Sequence, residues 1–181
     1  QLTNRRQHFE ALFAGAETKA AAIGDGKALF DALHLMHRSL HASAAGEVAD
    51  GRLLDCIRRL SCFGLNLVRL DVRQESTRHT DAVADIIKQI KKAPDYKALS
   101  ETQRVQLLTE YLNDPPQFAL DKRQLAELNR ETLDVFELMA QMHREISDDA
   151  FGHYVISMTH AASHVMEVMW LGSLAGLAGI D

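Results

Sequence analysis

The sequence predicts a mostly α-helical fold with two short parallel strands. Three observations carry that prediction. Apolar residues recur at helical spacing through most of the 181 residues. Two short runs, at about 66–73 and at 151–158, are instead rich in β-branched and aromatic residues. A long helical stretch separates the two runs, and strands so far apart pair in parallel through a crossover, not as a hairpin. Hydrophobic residues make up 46% and charged residues 25%, the balance of a globular domain, and the length fits one domain over 1–181.

Residues 3–20 predict a first helix, broken by Gly24 and Gly26, and Asp25 is placed to cap the next one. That helix carries Leu29, Leu33, Met36 and Leu40 on one face. Asp50-Gly51 predicts a turn. RLLDCIRRLSCF then predicts a helix with Leu53, Leu54, Ile57 and Leu60 on one side, stopped by Gly64. Cys56 and Cys62 lie six apart in that pattern, which is no disulfide framework, and are expected to be buried reduced thiols.

The strand at about 66–73 follows, and Ser76, Thr77 and Thr80 are candidate N-caps of the helix through DAVADIIKQI. Ser100 with Gln103 predicts a capping box, and Pro115-Pro116 ends the helix it opens. Asp121 with Gln124 predicts another start, of a long helix with Leu125, Leu128, Leu133, Phe136, Met139 and Ile146 on its period. FGHYVISM supplies the second strand, about 152–158. Ser163 opens a last helix, HVMEVMWLGSLAG, apolar nearly all round and so expected to be buried. Two strands are too few for so many helices to cover, which predicts partner strands outside the chain. The chain opens on Gln1 and is expected to be an excised piece.

The net charge of −5 lends no support to a nucleic-acid or membrane partner, and no run is long and apolar enough to span a bilayer. His34, His37 and His41 share one helix face at i, i+3, i+7, a spacing open to metal ligation or to a partly solvated or interface face. The outer two stand two turns apart, about 10 Å, so all three rarely meet one ion. His160 and His164 lack the glutamate of H-E-x-x-H, which favours a turn and cap over a metal pair. No nucleophile elbow, P-loop or dinucleotide fingerprint is present.

The stretch LVRLDVRQESTRHTD, 67–81, holds the densest chemistry. Arg69, Asp71 and Arg73 line one side of a strand, which a strand covered on both faces would not tolerate. Asp71, Arg73, Gln74, Glu75, Arg78 and His79 crowd the strand's carboxyl end, where α/β folds bind ligands. Arginine there presents a fork suited to carboxylate or phosphate, and the next helix aims its positive end at the same place. A structural net of ion pairs at a sheet edge fits the same residues equally well.

The same stretch resembles a signature of bacterial-type phosphoenolpyruvate carboxylase. So do SLHASAAGEVADGRLLDCIRRLSCFGL before it, YKALSETQRVQLLTEYLNDPP after it and GHYVISMTHAASHVMEV further on. The likeness covers about residues 30–181 and implies a central piece of a much longer enzyme. That enzyme is implied to be a helix-elaborated TIM (β/α) barrel, a cytoplasmic homotetramer that adds bicarbonate to phosphoenolpyruvate to give oxaloacetate and phosphate, feeding the tricarboxylic acid cycle. It would require Mg²⁺ or Mn²⁺. The two strands would be successive barrel strands, with C-terminal AGI leading toward a third.

Arg73, in L-D-x-R-Q-E-S, corresponds by this resemblance to an active-site arginine for the substrate phosphate or carboxyphosphate, with Asp71, Gln74, Glu75 and Arg78 as supports. The family's T-A-H-P-T-E, H-G-R-G-G, F-E-T and Y-S-D-S-x-K-D blocks are absent, so the catalytic histidine and metal ligands are expected outside this chain. In SMTHAASHV, Ala162 and His164 replace the family's proline and aspartate. The isolated chain is therefore expected to be inactive and, with open strand edges, to self-associate. The alternative from another class is a non-enzymatic helical interaction module.

Overall fold

The computed structural model describes residues 10–11, 14, 26–91, 93–145 and 150–177. The expected bulk of the helix at 3–20, the cap at Asp25, Ile146 and the terminal AGI lie outside the described residues. Where length predicts one domain, the chain groups into two compact units. One comprises Gln1–Leu70 with His143–Ala150, the other Asp71–Met142 with Phe151–Asp181.

In the first unit, α1 (Gly26–Ala42) is followed by a helical turn at Gly46–Val48 and a π-helical turn at Ala49–Leu53. Helical geometry breaks inside the π turn at Gly51 (φ −85, ψ −127), so the expected Asp50-Gly51 turn is a kink within a helical run. Helix α2 (Leu54–Phe63) continues from it and stops at Gly64, whose φ of +57 suits a residue without a Cβ. Both α1 and α2 pack on the π turn, yet α1 has no buried residue and α2 only Ile57. Cys56 and Cys62 are accordingly exposed, against expectation, because α2 buries one narrow line of residues.

In the second unit, β1 (starting at Leu70, in the first unit, and running to Glu75) leads into α3 (Ser76–Ile87). The strand starts four residues later than its hydrophobic pattern predicts. Leu67 adopts φ +65 and Val68 N donates to Asn66 O at 2.7 Å, a tight turn that ends extension before it can begin. Glu75, extended at φ −87 and ψ 140, takes the N-cap position, so none of Ser76, Thr77 and Thr80 does.

After a 3₁₀ turn at Tyr96–Ala98 comes α4 (Glu101–Asn113), opened by Gln103 Oε1, which accepts from Ser100 N at 2.9 Å. Asp121 caps a 3₁₀ turn at Lys122–Gln124, and α5 (Glu127–Glu145) starts only after it. Strand β2 (Phe151–Ser157) ends where Met158 turns to φ +55, and α6 (Ala162–Leu174) follows.

Among the described residues, β1 and β2 form one two-stranded parallel sheet, and the chain is mostly helical. The core of the second unit gathers Val83, Ile86 and Ile87 of α3, Leu108 and Tyr111 of α4, Leu133 and Phe136 of α5, and Trp170 and Leu171 of α6. Helix α6 is not buried all round: Val165 and Met169 are 48% and 56% exposed. No described helix is long and apolar enough to cross a membrane.

Candidate functional site

Pleating sets the site. Along β1, Val72 and Gln74 are half-buried while Asp71, Arg73 and Glu75 are exposed on the opposite face. Asp71 Oδ1 accepts from the backbone N of His153 on β2 at 2.9 Å. That hydrogen bond, more than the nearby charges of His153 and Arg73, holds the Asp71 carboxyl below its ordinary pKa and keeps it anionic. Arg73 makes no hydrogen bond or ion pair among the described residues and stands exposed as a cationic fork at the strand's carboxyl half.

The neighbours of Arg73 are committed locally. Gln74 Oε1 accepts from Glu75 N at 2.9 Å, and Glu75 Oε1 accepts from Thr77 Oγ1 at 2.8 Å. Ser76 Oγ donates to Met158 O at 2.7 Å, tying the start of α3 to the end of β2. Arg78 turns away to α5, donating to Leu128 O at 3.3 Å and lying 3.6 Å from Glu131. The strand end therefore brings Asp71, Arg73, Gln74 and Glu75 onto one short segment and directs Arg78 toward α5.

His79 is a core histidine. It is fully buried, its Nε2 shares a hydrogen bond of 2.8 Å with Tyr154 OH, and its ring meets Phe136 and Tyr154 edge-on. Burial first, then the charges of His164 and Arg78, lowers its pKa to about 4, so the ring is neutral. His160 N approaches His164 Nδ1 at 3.4 Å, the turn-and-cap arrangement, not a shared ligand position.

Sequence reasoning missed a buried carboxylate. Glu167 of α6 is fully buried and accepts from Thr80 Oγ1 and Tyr96 OH, each at 2.8 Å. Burial pushes its pKa up, and the same burial with the adjacent carboxylate pushes Tyr96 up. The one signal was a lone glutamate in an otherwise apolar helix. Glu101 likewise receives Ser163 N and Oγ, at 2.9 and 2.7 Å, clasping α4 to the first turn of α6.

These residues do not fit an octahedral, oxygen-ligated Mg²⁺ or Mn²⁺ ion. The strand-end carboxylates are already engaged by a backbone N–H and a hydroxyl. Among the described residues the one three-membered group of metal-ligand type is His37, His41 and Asp50, in the first unit, with two nitrogen donors.

The phosphoenolpyruvate carboxylase family model matches residues 1–181. Curated proteins of that name are similar to the chain: one from Vibrio atlanticus at 38% identity, over 92% of this chain and 19% of its own length. Another from Ectopseudomonas mendocina is 42% identical over 93% and 19%, and one from Medicago sativa 44% over 75% and 14%. The chain thus spans a fifth or less of the length of these relatives. With the L-D-x-R-Q-E-S strand at its centre and the match running end to end, this chain belongs to the phosphoenolpyruvate carboxylase family.

Proposed function

We propose that the chain is a central part of an enzyme that joins bicarbonate to phosphoenolpyruvate, yielding oxaloacetate and phosphate. The observation that carries this reading is the exposed, unpartnered Arg73 on the strand end of a chain in this family. Phosphoryl transfer to bicarbonate and carboxylation of the resulting enolate both build negative charge on oxygen. A guanidinium that makes no hydrogen bond or ion pair among the described residues can stabilise that charge at little cost of rearrangement.

Asp71 keeps β1 aligned with β2 through His153 N, and Gln74 with Glu75 holds the turn into α3, so these act by positioning Arg73. Strands β1 and β2 are neighbouring strands of a TIM barrel, a reading supported by their parallel pairing and by the helix that follows each. A divalent cation, Mg²⁺ or Mn²⁺, would be held by residues outside this chain. The whole enzyme is read as a cytoplasmic homotetramer.

The test is bicarbonate- and Mg²⁺-dependent oxaloacetate formation by the full-length protein, with and without Arg73→Ala. The expected result is a loss of at least about 100-fold in kcat with folding retained. Full-length protein inert toward phosphoenolpyruvate would overturn the reading. This chain alone is expected to form no oxaloacetate.

A helical interaction module is the second reading, favoured by the exposed Leu35, Met36, Val48 and Phe63 of the first unit. It predicts that Arg73→Ala leaves every activity unchanged. Self-association of the isolated chain follows from the same exposed apolar residues and from the open sheet edges. Sedimentation over a concentration series checks it, and a monomer throughout would contradict it.

A further inference from the structure

We propose that His37, His41 and Asp50 form a binding site for a transition-metal dication of the Zn²⁺, Co²⁺ or Ni²⁺ class. The two histidines are i and i+4 on α1, so their rings lie on one face, one turn apart, with centroids 4.7 Å apart. The third group comes from elsewhere: Asp50, in the π-helical turn, just before the break at Gly51. Its Oδ1 accepts from His37 Nε2 at 3.0 Å and from His41 Nε2 at 2.9 Å. All three donor atoms lie within 4.8 Å of one another. Ligands around a tetrahedral ion at about 2.0–2.1 Å stand roughly 3.3–3.4 Å apart, so one is admitted by an expansion of a few tenths of an ångström at the two histidine–aspartate pairs, with the two imidazole nitrogens, which lie within 4.8 Å, drawn to the same spacing.

Two N–H groups converging on a single carboxylate oxygen is the proton-bound form of such a set. A single cation in place of both protons would draw on the same three donor groups. The aspartate supplies the anionic ligand, its Oδ1 already facing both imidazoles.

The site is also shaped. A Cβ at Gly46 would stand 3.1 Å from His41 Nδ1 and 3.2 Å from its Cε1, so only glycine lets the ring lie against this turn without displacement. His37 is the more sheltered, its side chain 19% exposed, while His41 at 44% and Asp50 at 52% leave an open side for water to complete the shell. Two imidazoles and one carboxylate select borderline transition metals over Mg²⁺ and Ca²⁺, which demand oxygen. His34 packs tilted against Phe30, with centroids 4.4 Å apart, and is no part of the set. A bound ion would fasten the Gly46–Leu53 segment to α1 and so brace the first unit.

The chain itself is titrated with Zn²⁺ by calorimetry and with Co²⁺ by visible absorption. One equivalent is expected to bind with a d–d band of low coordination number, and millimolar Mg²⁺ is expected neither to bind there nor to compete. His37→Ala, His41→Ala and Asp50→Asn should each weaken Zn²⁺ binding by at least about tenfold, with His34→Ala and His160→Ala unchanged. Gly46→Ala, which removes no donor, should weaken it too by pushing the His41 ring aside. Circular dichroism checks that each variant remains helical. Absence of saturable Zn²⁺ binding by the unsubstituted chain overturns the proposal, as does binding that survives all three ligand substitutions.

Discussion

The first unit lays helices side by side while hiding almost nothing, whereas the second closes a core around aromatic rings. In the first, Leu35, Met36, Val48 and Phe63 are each more than half exposed, and Ala49 and Ile57 are its fully buried apolar residues among those described. In the second, Trp170, Leu108, Leu133, Ile86 and Ile87 are all sealed, and Trp170 lies against Tyr111 at 5.7 Å between centroids. Helical periodicity is present in both. What separates them is whether another element lies across the apolar stripe, and an amphipathic pattern by itself does not say which element that will be.

Substitution at the core should break the contrast most severely. Trp170→Ala is expected to destabilise the second unit by about 3–5 kcal/mol, read by chemical denaturation. Leu35→Ala, equally apolar by sequence, should change stability by less than about 0.5 kcal/mol. A similar cost for both would mean that the first unit is as well packed as the second.

Acid should then weaken the second unit through His79. Its folded pKa, about 4, lies below the ordinary 6.5. The unfolded chain therefore binds the proton first as pH falls, and the contribution of neutral His79 is lost between about pH 6.5 and pH 4. That difference corresponds to about 3 kcal/mol. Glu167 works in the opposite direction: its raised pKa means that its contribution is full below the ordinary glutamate pKa and is lost as pH rises. Glu167→Gln should thus steepen the net loss on acidification, and His79→Gln should flatten it. Unfolding free energies measured across this range, with identical slopes in all three proteins, would contradict both assignments.

A smaller effect is expected at the cap of α4. Ser100→Ala should cost about 1 kcal/mol in the second unit. Smaller still is Lys27→Ala on α1, which breaks an exposed pair with Asp31 at 2.8 Å. Its expected cost is below about 0.5 kcal/mol, and a large effect there would show the first unit to depend on its surface charges.

Much of this was readable from residue order, in identifiable places. Gly64 ended its helix because only a residue without a Cβ tolerates φ +57 comfortably. Residues 70–73 of the observed Leu70–Glu75 strand are legible as a strand with charges on one side because side chains alternate regardless of context. The strand's start is not, since the turn at Leu67 depends on contacts that periodicity does not encode. Cys56 and Cys62 were misread because burial belongs to the face that finds a partner, not to the residue type.

Arg78 was grouped with Arg73 by proximity in sequence, yet the helix directs it to Leu128 and Glu131, fifty and more positions away. Glu167 and Asp50 were invisible as partners for the same reason. Each meets groups on other elements, Thr80 and Tyr96 more than seventy positions from Glu167, and His37 and His41 on the helix before the turn that carries Asp50.

By itself, the sequence determined the helix-rich composition, the two strand runs, the charged face around Arg73 and the family, because these rest on residue type, spacing and the length of a signature. Only the tertiary structure decided which arginine stays unpartnered, which histidine is neutral and buried, and which carboxylate gathers two imidazoles. Those outcomes depend on burial and on hydrogen bonds between separate elements, and such distances are set when the chain folds.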